Sequence, residues 1–150
     1  MPVFDFRFTI DATLAQVSAF HHGTEVLTQL TPPPAIMRIH EAEPLAEGSV
    51  SRFTVWFGPL PIRWEATHSD VGEHGFTDTQ TDGPMRRWVH THRFREVTPG
   101  RVEVHEHIEY EHGGGAWGLA TRLLFAKPAL LGQFTYRKLV TRRKAPKIEV

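Results

Sequence analysis

The chain has 150 residues, enough for one domain that buries about two-thirds of its unfolded surface. Its 17 basic residues balance 17 acidic ones and it has no cysteine, which excludes a general attraction to nucleic acid or anionic membrane, disulfides, and thiolate metal sites. The first residues carry no basic and apolar export signal, and nowhere do about 18 uncharged apolar residues follow one another, so the expectation is a cytoplasmic chain without a transmembrane segment.

Val3 to Ile10 alternates, with Phe4, Phe6, Phe8 and Ile10 on one face and Asp5, Arg7 and Thr9 on the other, the period of a half-buried strand. Thr13 and Gln16 form a capping box that opens a short helix, with Leu14, Val17 and Phe20 or His21 at helical spacing. Gly23 ends it, and Thr24 can cap a second short helix running to about Leu30, where Pro32-Pro33-Pro34 supplies no backbone donors. Residues 36–111 show no helical period. They are short β-rich runs separated by turn signals at Glu47-Gly48, residues 58–61, residues 72–75, Asp82-Gly83-Pro84 and Thr98-Pro99-Gly100, which predicts six consecutive antiparallel strands. After Gly113-Gly114-Gly115 the pattern becomes helical over about residues 116–143, with Leu123, Leu124, Leu131, Phe134 and Leu139 available to face a sheet. Pro128 clashes with the carbonyl of Leu124 and predicts a kink or a break. The expected fold is α+β, with a seven-stranded curved antiparallel sheet, two short helices after strand one and a long, proline-kinked C-terminal helix, all in a single domain over residues 1–150.

Turn positions register the hairpins and so assign the inner face. Across residues 58–61, Phe57 is expected opposite Ile62, Val55 opposite Trp64 and Phe53 opposite Ala66, an apolar and therefore inward set continued by His68. Across residues 71–75 the same parity sets His68 near Phe76, with Asp78 and Gln80 further along. Across residues 98–100 the expected pairs are Phe94 with Val104, His92 with Glu106, His90 with Ile108 and Trp88 with Tyr110. A sheet merely packed on a helix would carry Val, Ile and Leu there. His68, Asp78, Gln80, His90, His92 and Glu106 each need a partner or water to avoid a cost of about 1–3 kcal/mol. Two readings fit: a cavity with apolar walls and convergent polar groups, or a solid core whose polar groups pair among themselves, as His92 with Glu106.

Strand, two short helices, six strands and a long final helix resembles the START/birch-pollen-allergen helix-grip superfamily (SRPBCC). Within it the chain resembles bacterial polyketide cyclase/dehydrase and coenzyme-Q-binding-like proteins. The resemblance spans nearly the whole chain and rests on the order of four segments: Phe8-Thr9-Ile10-Asp11-Ala12-Thr13, residues 83–94 (GPMRRWVHTHRF), residues 104–110 (VHEHIEY) and Phe134-Thr135-Tyr136-Arg137. It implies a cavity between sheet and helix that binds lipids, polyketides, quinones or similar hydrophobic molecules, with no universal catalytic residue. The proline within the final helix departs from the simplest family pattern and bears on the cavity mouth. The residues expected to line the site are Phe53, Val55, Phe57, Trp64, His68, Phe76, Asp78, Gln80, Trp88, His90, His92, Phe94, Glu106, Ile108, Tyr110 and Leu131.

The leading expectation is a carrier or sensor for a small hydrophobic or amphipathic molecule, with no cofactor and no metal. An alternative is a cyclase or dehydratase in which Glu106 orients His92 as general base and Asp78, its pKa raised by burial, serves as a neutral acid. His90 and His92 share one strand face and, with Glu106, offer a metal-like donor set, but an ordinary imidazole–carboxylate bond accounts for the same proximity. His105 and His107 lie on the opposite face among glutamates, where solvation and pairing with arginines explain them. The basic run Arg137, Lys138, Arg142, Arg143, Lys144 and Lys147 complements the helix dipole, and a protein or ribosome partner there ranks below that reading. Nucleic acid is not an expected partner. Trp56, expected outward opposite Arg63, is a candidate for a cation–π contact or for a homodimer surface.

Overall fold

A computed structural model describes residues 2–23 and 25–150. Strand β1 (Val3–Ile10) leads into helices α1 (Leu14–His22) and α2 (Val26–Gln29), and strands β2 (Ile36–Ala42), β3 (Val50–Phe57), β4 (Leu60–Gly72), β5 (Gly75–Asp82), β6 (Met85–Thr98) and β7 (Arg101–His112) follow. Helices α3 (Gly115–Leu124) and α4 (Lys127–Lys144) close the chain, with a short 3-10 turn at Ala145–Lys147. The seven strands form one antiparallel sheet in the order β1-β7-β6-β5-β4-β3-β2, and the helices cover its inner face. Among the described residues no helix is long and apolar enough to cross a membrane.

The local signals act as their chemistry requires. Thr13 Oγ1 accepts from Gln16 N at 3.1 Å and Gln16 Oε1 accepts from Thr13 N at 2.9 Å, so the capping box is complete. Gln16 Nε2 also donates to the carbonyls of Pro146 and Ile148 at 3.0 and 3.2 Å, which ties α1 to the end of the chain. The second short helix forms as expected, while its expected cap, Thr24, lies outside the described residues.

Two hairpins differ in register from the sequence reading. Gly58, with φ 61°, opens a two-residue turn, so Phe57 faces Leu60, Val55 faces Ile62, Phe53 faces Trp64 and Ser51 faces Ala66. The slip is two residues, and strand parity therefore keeps every side chain on its expected face. Between β4 and β5 an irregularity at residues 69–72 sets His68 opposite Asp78 rather than Phe76, although the His68 and Phe76 rings remain 6.0 Å apart. Trp56 is on the outer surface but opposite Pro61, and Arg63 faces Thr54, which removes the expected cation–π pair. The β6–β7 hairpin has the expected pairs throughout: Phe94 with Val104, His92 with Glu106, His90 with Ile108 and Trp88 with Tyr110.

The final helix is broken rather than bent. Pro128 sits in the first turn of α4, where its missing N–H has no helical acceptor to lose, and Phe125 and Ala126 form the joint. The break resets the helical phase. Leu130, Phe134, Arg137 and Thr141 face the sheet, whereas Leu123, Leu131 and Leu139 are 77%, 53% and 57% exposed, contrary to the expectation that they pack inward. Two apolar clusters result. One gathers Phe8, Val17, Phe20, Phe94, Val102 and Val104 under α1, and the other gathers Phe4, Ile62, Trp64, Trp88, Ile108, Phe125 and Phe134 under α3 and α4.

Gly75 is where the sheet tolerates only glycine. Its φ is +133°, and a Cβ there would stand 1.9 Å from the carbonyl oxygen of His92 on β6. Gly75→Ala is expected to push β5 from β6 and lower the thermal unfolding midpoint by at least about 5 °C. Circular dichroism melts of the two proteins check this, with Gly48→Ala, where a Cβ meets nothing within 4 Å, as the comparison at positive φ.

Candidate functional site

Between the two apolar clusters the inner face turns polar. Along β6 the sequence runs Trp88, His90, His92, Phe94, and along β7 it runs Val104, Glu106, Ile108, so each strand carries its polar residues between an apolar residue of one cluster and an apolar residue of the other. Asp78 on β5 lies next to His90 in register. His90, His92 and Glu106 are buried, at 3%, 6% and 5% exposure, so every lone pair and proton must be accounted for.

His90 Nε2 donates to Glu106 Oε2 at 2.6 Å and His92 Nε2 donates to Asp78 Oδ2 at 2.7 Å. His92 Nδ1 lies 2.8 Å from the same Glu106 oxygen but out of line with its N–H direction, which leaves it without an aligned partner among the described residues. The Glu106 carboxylate is thus shared by two imidazoles whose ring centroids are 3.8 Å apart. The sequence reading pairs Glu106 with His92. The well-aligned bond is instead the one to His90.

The charges follow from this geometry. Burial opposes protonation of His92, but the charge of the Glu106 carboxylate beside it and the bond to Asp78 outweigh it and raise its pKa to about 9. Burial and the neighbouring His92 charge lower His90, so of the two rings His92 holds the proton. Burial would raise Glu106 and Asp78, yet the imidazoles hold Glu106 well below, and Asp78 below, the ordinary carboxyl value. Asp78 is therefore an ionised acceptor, not the neutral acid expected from its burial. His21, on α1, donates from Nδ1 to the Val17 carbonyl at 2.8 Å, and burial lowers its pKa to about 4.

A cavity of about 180 Å³ opens in front of these groups, between the sheet and helices α1, α2 and α4. Of the residues expected to line the site, Phe53, Val55, Phe57, Trp64, His68, Phe76, Asp78, Trp88, His90 and His92 surround it. Glu106 sits behind the two histidines and anchors them without reaching the cavity. Phe94, Ile108 and Tyr110 are packed in the apolar clusters, and Leu131 is on the exposed side of α4. Gln80 closes the β5–β6 turn instead, donating to Met85 O at 2.8 Å and accepting from Met85 N at 3.1 Å. His68 is held by Ser49, its Nδ1 lying 3.0 Å from the Ser49 carbonyl and 3.1 Å from the hydroxyl.

Sequence reasoning misses His21, Gln133 and Arg137, all of which line the cavity from the helices. In the sequence Arg137 reads as part of a solvated basic run. The spacing Leu130, Phe134, Arg137, Thr141 is the signal that places it inward, once the helix is phased from Pro128. On the outer face, His105 Nε2 and His107 Nδ1 both donate to Asp5 Oδ1, at 2.7 and 2.8 Å, and the arginines pair with Glu103, Glu109 and Glu111. Asp78, His90 and His92 bring three donor atoms within reach of one ion, and short imidazole–carboxylate bonds occupy Asp78 Oδ2, His92 Nε2 and His90 Nε2 while His90 Nδ1 lies 3.8 Å from Asp78.

Structural comparison gives matches over the whole chain. The Thermus thermophilus protein TTHA0849 superposes with a TM-score of 0.73 at 15% identity, covering 96% of this chain and 97% of that one. A START superfamily protein from Mycobacterium smegmatis gives 0.72 at 10% identity, covering 98% and 99%. The Zhui aromatase/cyclase from Streptomyces sp. R1128 gives 0.63 at 12% identity, covering 97% and 92%. No protein-family model and no curated protein matches the sequence. The architecture is that of the START-like helix-grip proteins. The same arrangement of strands and helices is found in the di-domain ARO/CYC BexL, with a TM-score of 0.67 at 14% identity, covering 94% of this chain and 46% of that one.

The Glu106–His90–His92–Asp78 cluster has a measurable signature. His92 is expected to titrate near pH 9 rather than 6.5 in NMR spectra of the imidazole resonances. Because its folded-state pKa is raised, its stabilising contribution is complete below pH 6.5 and is lost as the pH rises through about 9. Denaturant melts between pH 6 and 10 should show that decline. Glu106→Gln should lower the His92 pKa and cost about 3 kcal/mol at neutral pH, because it leaves a buried cation with one carboxylate fewer. A His92 ring that titrates near 6.5 in the wild type would contradict this account.

Proposed function

We propose that the protein binds a small amphipathic molecule in the cavity between sheet and C-terminal helix, and acts as a carrier or sensor rather than as a catalyst. The observation that carries the reading is the wall itself. Phe53, Val55, Phe57, Trp64, Trp88 and Phe125 form an apolar end, and Asp78, His90, His92 and Arg137 form a polar one, in one cavity. A guest with an apolar body and a hydrogen-bonding end matches both. The fold shared with a START superfamily protein and an aromatase/cyclase supports such a use by analogy.

The state of the histidines favours binding over turnover. A general base at neutral pH needs a free lone pair, and His92 instead holds its proton between two carboxylates. One observation supports the cyclase or dehydratase alternative. His90 is the neutral ring on the cavity wall, with Nδ1 3.8 Å from Asp78, so it is the imidazole positioned to accept a proton from a bound guest.

The test uses N-phenyl-1-naphthylamine, a neutral apolar dye that fluoresces when it leaves water, together with native mass spectrometry of the purified protein. Saturable dye binding is expected in the wild type. Val55→Trp, which fills the cavity from a half-buried position on its wall, should weaken binding at least about tenfold while keeping the far-ultraviolet spectrum. No saturable binding in the wild type, or equal binding in Val55→Trp, would overturn the proposal. For the alternative, unchanged turnover of a confirmed substrate in His90→Phe would remove His90 from the chemistry.

A further inference from the structure

Among the described residues Arg137 is a cavity-lining cation that the pairing of the polar seam does not account for. It projects from α4 into the cavity, and its guanidinium forms no hydrogen bond and no ion pair within 4 Å among the described residues. Its Nε is fully buried and still unpartnered. A guanidinium keeps its proton even where burial lowers its pKa, so this is a half-buried cation, with its Nε out of reach of water, that has no contact anion among the described residues. A half-buried guanidinium without an acceptor gains from an oxyanion that pairs with it.

The nearby carboxylates do not fill that role. Asp78 accepts from His92 and Glu106 accepts from His90, and both are held on the sheet by those bonds. The guanidinium is instead held in a fixed orientation by stacking, with Cζ 4.8 Å from the centre of the Phe134 ring. Gln133, one turn earlier on the same helix, lines the same cavity and is fixed by donating to the Leu124 carbonyl at 3.0 Å. A planar fork of donors, oriented and unused, faces the volume walled by Phe53, Trp64, Trp88 and Phe125.

We propose that Arg137 is the anchor for an oxyanion on the guest, and that the molecule this cavity takes is an amphipathic carboxylic acid. This rests on the ligand-binding reading above and narrows it to a chemical class. The carboxylate pairs with the guanidinium in the fork geometry that a single hydroxyl cannot reproduce, and the hydrocarbon part lies along the aromatic wall. Local charge allows it. Asp78 and Glu106 are offset by His92 and Arg137, so the pocket is neutral before the guest enters and has no standing excess of negative charge to repel it.

The experiment measures displacement of bound N-phenyl-1-naphthylamine at pH 7 by straight-chain carboxylates of six to twelve carbons and by the primary alcohols of the same lengths. In the wild type the best acid should displace the dye at a concentration at least about tenfold below its matching alcohol. Arg137→Met should reduce that ratio of acid to alcohol to less than about threefold, and Arg137→Lys should retain part of it, as a charge without the fork. Equal displacement by acid and alcohol in the wild type overturns the inference, as does an acid preference that survives in Arg137→Met. The wild-type comparison decides alone if the variant does not fold. Failure of the dye itself to bind would overturn the ligand-binding reading and this inference with it, whereas dye binding without acid preference defeats this inference only.

Discussion

One buried carboxylate organises the interior. Glu106 lies on the inner face of β7, the strand flanked by β1 and β6, and it is 5% exposed. A charge there must be met by donors, and the antiparallel register supplies them, because His92 lies directly across on β6 and His90 two residues along on the same face. Two imidazoles on one carboxylate then need a further acceptor, and Asp78 on β5 provides it. The result is a polar seam across three adjacent strands that divides the apolar interior into two clusters. Helix α4 covers the seam with Phe134 and Arg137, and a cavity remains in front of it. The aromatic wall on one side and the charge cluster on the other both follow from where that carboxylate sits.

Most of the sheet was legible because strand geometry has a period of two. The β3–β4 hairpin pairs two residues away from the register that a four-residue turn would give, yet Phe53, Val55, Phe57 and Trp64 still face the cavity. A slip of one residue would have reversed the assignment. The turn chemistry explains the difference, since Gly58 at positive φ makes the tighter two-residue connection, and Pro59 and Pro61 do not both belong to it. The β6–β7 pairing was readable outright from the short Pro99-Gly100 turn, and with it the proximity of His90, His92 and Glu106.

The helical side of the site was not legible for a physical reason. A helix assigns faces only after its phase is known, and the joint at Phe125 and Ala126 breaks the phase between α3 and α4. Counting leucines across the break selects Leu123, Leu131 and Leu139, which are solvent-exposed, and passes over Arg137 because a basic residue in a basic run has an adequate surface explanation. The partial burial of Arg137 is a tertiary effect: it follows from its place four residues before Thr141 and three after Phe134 on the covered face. His21 is a milder case, since the spacing allows either Phe20 or His21 to face inward, and both do. The pairing of Asp78 was also beyond reach. Burial alone argues for a raised pKa, and only the arrival of His92 Nε2 at 2.7 Å, with the charges of the two histidines, reverses the direction.

The seam also limits what this cavity can do. An imidazole clamped between two carboxylates is a strong structural cation and a poor proton acceptor, so the interaction that makes His92 stable in the core removes it from base chemistry near neutral pH. Arg137 is in the opposite position, charged and oriented but unsatisfied. Within one small volume the fold therefore separates two kinds of charged group: those that pair with one another across the strands, and a guanidinium that has no contact anion among the described residues. That division assigns structural support to the strands, and under the proposed ligand-binding reading it assigns recognition of a guest to the helix α4 side of the cavity rather than to the histidine side.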